Sequence, residues 1–94
     1  MSQQYHFQIL NGRTVVVDTH CSFEEIRRMG DTMATNQRHR LSVQAYNEPL
    51  NKWDRLGAFL GHREFDNWDG ERWQINKDYK GMTRLTAGKE VASV

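Results

Sequence analysis

The chain has 94 residues, 37% of them hydrophobic and 27% charged, with 13 Lys and Arg against 12 Asp and Glu for a formal net charge of +1. That length fits one small domain, in which each large apolar side chain weighs heavily because a chain of this size buries only roughly two-thirds of its unfolded surface. Near-balanced charge gives no strong overall field, so composition makes no demand for nucleic acid or an anionic membrane as partner.

Residues 5–19 read as a β-hairpin. "YHFQIL" alternates, placing Tyr5, Phe7 and Ile9 on one face and His6 and Gln8 on the other, and "TVVVDT" supplies β-branched residues suited to a pleated sheet. Asn11-Gly12 between them is a strong short-range hairpin signal. A two-residue loop sets Phe7 opposite Val16 and a three-residue loop sets it opposite Val17. The unbroken run Val15, Val16, Val17 suggests a strand covered on both faces, central in its sheet.

"CSFEEIRRMGDTMAT" is the clearest helix. Ser22 with Glu25 three residues on makes a capping box, and Cys21 and Ile26 suit a hydrophobic staple. Glu24 and Glu25 favour the positive end of the helix dipole. Phe23, Ile26, Met33 and Met29 or Gly30 form an apolar stripe, and the helix is expected to end at 35–37. Gly30 costs such a helix about 1 kcal/mol relative to Ala unless it allows close approach to the sheet.

"RLSVQAY" alternates as a third strand, with Leu41, Val43 and Ala45 on one side, and "NEPLNK" is a turn holding Pro49. "WDRLGAFLGH" fits neither period cleanly. Gly57 and Gly61 weigh against a helix and towards a strand pairing back on the third.

"FDNWDGERWQI" reads as a C-terminal hairpin. With Asp69-Gly70 as a two-residue turn, Trp68 faces Glu71 and Asp66 faces Trp73 across the ladder. Glu64, Asp66, Trp68, Glu71, Trp73 and Ile75 then share one face, an aromatic pair rimmed by three carboxylates. Residues 83–94 are small and polar and read as a flexible tail after a domain at 1–82. The order predicts an α+β fold: one helix packed across a mostly antiparallel sheet made of an N-terminal hairpin, third and fourth strands, and a C-terminal hairpin.

The chemistry-bearing residues form no strong constellation. Cys21 is the single cysteine, so no intrachain disulfide forms. One thiol with scattered His6, His20, His39 and His62 lacks the paired spacing of a zinc site. Cys21 precedes a helix N-terminus, which favours a thiolate, yet a small buried hydrophobe is the simpler reading. Asp66, Asp69 and Glu71 lack the ligand order of a calcium loop and read as solvated turn residues. Phosphate loops, nucleophile elbows and dinucleotide fingerprints are absent, so no cofactor, metal or enzymatic activity is expected.

Arg13, Arg27, Arg28, Arg38 and Arg40 are the candidates for a nucleic-acid surface. Residues 1–40 hold five Arg against four acids, an excess far below the about six to ten phosphate contacts of strong non-specific binders. "MSQQYHFQIL" lacks the basic and apolar regions of a signal peptide, and no apolar run approaches a membrane span. A cytoplasmic location and no membrane partner are therefore expected.

The sequence thus points to a non-enzymatic module that binds another protein or protein complex. Trp68 and Trp73 would form the contact, with Glu64, Asp66 and Glu71 as a rim preferring a basic partner. Trp53 is expected to pack against the sheet. Adaptors and stoichiometric inhibitors, including those that phages and mobile elements direct at host macromolecular machines, belong to this size class. The alternatives are nucleic-acid binding through the arginines and a homodimer that pairs the same surface with itself.

Overall fold

The computed structural model describes residues 3–85. Its elements run β1 (Tyr5–Asn11), β2 (Thr14–Cys21), α1 (Phe23–Gln37), β3 (Leu41–Asn47), β4 (Lys52–Gly61), β5 (Glu64–Asn67), β6 (Arg72–Ile75) and β7 (Met82–Arg84). The strands form one sheet in the order β2-β1-β3-β4-β5-β6-β7, with every neighbouring pair antiparallel. This is the expected α+β arrangement, a helix across one face of an antiparallel sheet. The short β7 extends the sheet beyond residue 82, and residues 86–94 of the expected tail lie outside the described residues.

Residues opposite one another in a ladder share a face. On the helix side, Phe7 stands opposite Ala45, Ile9 opposite Val43, Leu41 opposite Phe59, and Phe59 opposite Phe65. These side chains close over Ile26 and Ala34 of α1 to make the core. Helix α1 begins as its sequence dictates. Ser22 Oγ accepts from the Glu25 N–H, and Glu25 Oε1 accepts from the Ser22 N–H at 3.0 Å. The helix closes on Arg38 in the left-handed conformation at φ 52°. Gly30 faces the ring of Phe59 so closely that a Cβ there would stand 2.7 Å from Cζ and nearer still to Cδ2 and Cε2. The glycine in mid-helix is therefore what lets α1 lie down on β4.

The N-terminal hairpin differs from both expected registers, because Phe7 lies opposite Thr19. The turn residues are Gly12 and Arg13 rather than Asn11 and Gly12, and Gly12 takes φ 65° at the first central position. That is the requirement of a type II′ turn. Moving the turn by one residue shifts the pairing by two, and a bulge between Ile9 and Leu10 shifts it again, leaving Val16 without a partner opposite. Strand β2 is an edge strand, not a central one, with Val15 44% and Val16 42% exposed. The run of valines reflects the bulge, which turns two neighbouring side chains outward.

Strand β4 defeats simple periodicity for the same reason. Its register slips between Val43 and Gln44 on the β3 side and between Phe59 and Gly61 on the β5 side, making Leu56 and Leu60 supernumerary. Gly57, at φ 149°, lies so close to β5 that a Cβ would meet the Asp66 carbonyl and stand 2.7 Å from Asn67 Cα.

Candidate functional site

The C-terminal hairpin carries the residues singled out in the sequence, and its register corrects their grouping. Asp66 pairs with Arg72, Phe65 with Trp73 and Glu64 with Gln74. Asn67 then closes the ladder by donating its N–H to the Glu71 carbonyl at 2.9 Å. The loop is Trp68-Asp69-Gly70, three residues rather than two. The Gly70 N–H donates to the Asn67 carbonyl, and Gly70 takes φ 85°, the pattern of a type I turn followed by a left-handed residue. A one-residue change of register moves a strand's side chains to the opposite face. Trp73 consequently joins Phe65 and Ile75 on the helix side, packed against the core, while Trp68 leaves the sheet at the loop and is 61% exposed.

The cause is Asn67. Its Oδ1 accepts from the Asp69 N–H at 3.1 Å and the Glu71 N–H at 2.8 Å, and its amide donates to Glu71 Oε2 at 3.0 Å. Asn at the first position and Gly at the fourth favour a type I turn, so "NWDG" held the signal that "DG" alone obscured.

The carboxylates do not form a free rim. Arg72 binds Glu64 at 3.2 Å and Asp66 at 3.1 Å, Arg40 binds Asp66 at 3.1 Å, and Arg84 binds Glu71 at 2.6 Å. Glu64, Asp66 and Glu71 are thus each paired with an arginine, and Asp69 beside Trp68 is the acid of this hairpin without an ion pair among the described residues.

Trp68 is held from two sides. Its backbone N–H donates to the Leu56 carbonyl at 3.1 Å, and Arg55 lays its guanidinium over the indole, 4.7 Å from the ring centroid. Beneath them on the helix-free face is a hollow of about 260 Å³ lined by Arg40, Ser42, Gln44, Arg55 and Ala58 among others.

Towards the other end of that face lies an aromatic row that sequence reading missed. His6 stacks on His20 with centroids 4.3 Å apart, Trp53 meets His6 edge-on at 4.9 Å, and Tyr46 meets Trp53 at 5.2 Å. Asp18 accepts from Gln8 at 2.8 Å and pairs with His6 at 2.6 Å, and these bonds hold its carboxyl below the usual range, the one from Gln8 foremost. Trp53 thus packs against sheet neighbours, but on the face away from the helix. The available signal was the alternation itself: His6 and Tyr46 occupy positions out of phase with Phe7 and Ala45.

The candidate arginines fall into two groups. Arg27 lies over Phe23 and donates to the Tyr79 carbonyl at 3.4 Å, and Arg28 lies over Tyr79. Arg38, Arg40 and Arg13 belong to the end where His39 bonds Asn11 at 2.7 Å. Eleven residues of helix, roughly 16 Å, separate Arg27 from Arg38. Arg40 is committed to Asp66, so the five do not assemble into one basic patch.

Cys21 is 5% exposed, and burial, with the nearby Glu25 charge, pushes its thiol up rather than down. The helix N-terminus therefore does not make it a thiolate. Among the described residues no group of three or more His, Cys, Asp and Glu is placed to hold a metal ion, and no helix is long and apolar enough to cross a membrane. Comparison with family models, curated proteins and solved structures finds no match to this chain.

Proposed function

We propose that this chain is a non-enzymatic protein-binding domain that engages another protein through its helix-free sheet face, with Trp68 as the anchor. The observation that carries the reading is a large indole left 61% exposed, stacked under Arg55 and carried on a loop whose backbone is tied to β4. Side chains already held in one orientation lose little entropy on binding, and Trp and Arg dominate interface energetics. The neutralised rim changes the kind of partner from the one composition suggested. Arg55 makes no ion pair among the described residues, and it borders a hollow able to take a side chain. The partner surface presents an acidic group beside an apolar one. An adaptor or a stoichiometric inhibitor, of the sort phages direct at host machines, acts through this type of contact.

The test is capture from native lysate with wild type, Trp68→Ala and Trp73→Ala as baits, followed by titration of the recovered partner. Trp68→Ala should keep its fold and lose at least about tenfold in affinity, as an interface hot spot does. Equal capture by wild type and a folded Trp68→Ala would overturn the reading.

A further inference from the structure

The helix face of the sheet is not filled edge to edge. Beside α1, over β4 to β7, runs an apolar groove of about 250 Å³, walled by Ile26, Leu56, Phe65, Trp73 and Met82. Arg27 stands in its wall. The Arg27 guanidinium is half-buried and has a single long bond of 3.4 Å, to the Tyr79 carbonyl. It makes no ion pair among the described residues. Burial lowers its pKa, with the Glu24 charge acting in the opposite direction. A planar cation with five donors and one weak acceptor, set against an apolar wall, is matched by a carboxylate.

We propose that this groove is a binding site for a small amphipathic carboxylate, its acid group on Arg27 and its apolar body along Leu56, Phe65, Trp73 and Met82. Size sets the class of ligand. A cavity of about 150 Å³ accepts benzene, so this one takes a body of roughly eight to ten carbons, a medium-chain or bicyclic acid. The site lies on the opposite side of the sheet from the Trp68 surface and does not depend on it.

Octanoate and 1-octanol, titrated into the full chain, separate the proposal from simple greasiness. The three indole N–H resonances in ¹⁵N-labelled protein report on Trp53, Trp68 and Trp73 separately, with assignment by single Trp→Phe variants. Octanoate should shift the Trp73 resonance saturably and leave Trp68 in place, with affinity about tenfold or more above that of octanol, the margin of a charge-assisted bond. Arg27→Gln should remove that margin and Arg27→Lys should keep part of it, both with unchanged far-UV circular dichroism. Absence of a Trp73 shift, equal affinity for acid and alcohol, or a margin that survives Arg27→Gln would each overturn the proposal.

Discussion

Replacing Gly30 with Ala sets two physical effects of opposite sign against each other. In an isolated helix the change stabilises by about 1 kcal/mol, because glycine gives up more backbone freedom than alanine on folding. Here the new methyl would stand 2.7 Å from Phe59 Cζ and closer to two further ring atoms, where carbon atoms normally rest about 3.5–4.0 Å apart. Phe59 cannot swing aside easily, being 1% exposed and packed edge-on against Phe65 with centroids 5.2 Å apart. Overpacking of this kind costs about 1–3 kcal/mol and occasionally more. The methyl overlaps three ring atoms, so the upper part of that range applies. The net expectation is a loss of about 1–2 kcal/mol, which lowers Tm by roughly 4–15 °C in a domain of this size. Urea denaturation followed by circular dichroism measures it. Trimming the ring should relieve the clash, so Gly30→Ala/Phe59→Leu should lose about 1 kcal/mol less than the two single changes summed. An increase in stability for Gly30→Ala alone, or strict additivity of the pair, would refute the reasoning.

The two indoles of the hairpin should respond oppositely to truncation. Trp73→Ala should cost about 3 kcal/mol in urea denaturation, as for large core residues, and Trp68→Ala under about 1 kcal/mol, most of it from the Arg55 stack. In the β4–β5 turn, His62 and Arg63 sit at φ 52° and 62°, a conformation costing roughly 1–2 kcal/mol per residue without glycine. Both N–H groups are held by α1, the His62 N–H by Thr35 Oγ1 at 2.7 Å and the Arg63 N–H by Asp31 Oδ1 at 2.6 Å. His62→Asn/Arg63→Gly keeps those bonds and should raise stability by about 1–2 kcal/mol, so an unchanged melting curve would count against strain at this turn. Tyr79 donates its O–H to Asp31 Oδ2 at 2.7 Å, and that bond, then burial, holds its phenol above the ordinary 10.0. Because the folded state keeps a proton that the unfolded tyrosine releases, the contribution is complete below that value and is lost as pH rises through the folded one. Tyr79→Phe should therefore be less stable than wild type at neutral pH, with the gap closing in strong alkali. A gap independent of pH would contradict the bond.

The elements of this fold were legible because they rest on local chemistry. The capping box at Ser22 and Glu25, the alternation around Phe7 and Leu41, and the glycines that bar a helix at 53–62 each act within a few residues. Which side of the sheet a residue faces is a different kind of property, set by loop length and bulges. Asn67 decides it for the C-terminal hairpin by capturing two backbone N–H groups, which compete with the tighter Asp-Gly turn. The bulges at Val16, Leu56 and Leu60 decide it for β2 and β4, and only the partner strand reveals them. Asp31 was invisible for a related reason: a buried aspartate in a helix reads as a surface residue until the turn and the tyrosine it serves are brought to it from 32 and 48 residues away. The same register that hides Trp73 frees Trp68 from any part in the core. An indole excluded from the core by backbone geometry and stacked under Arg55 gives the fold little, and it leaves most of its surface open to solvent.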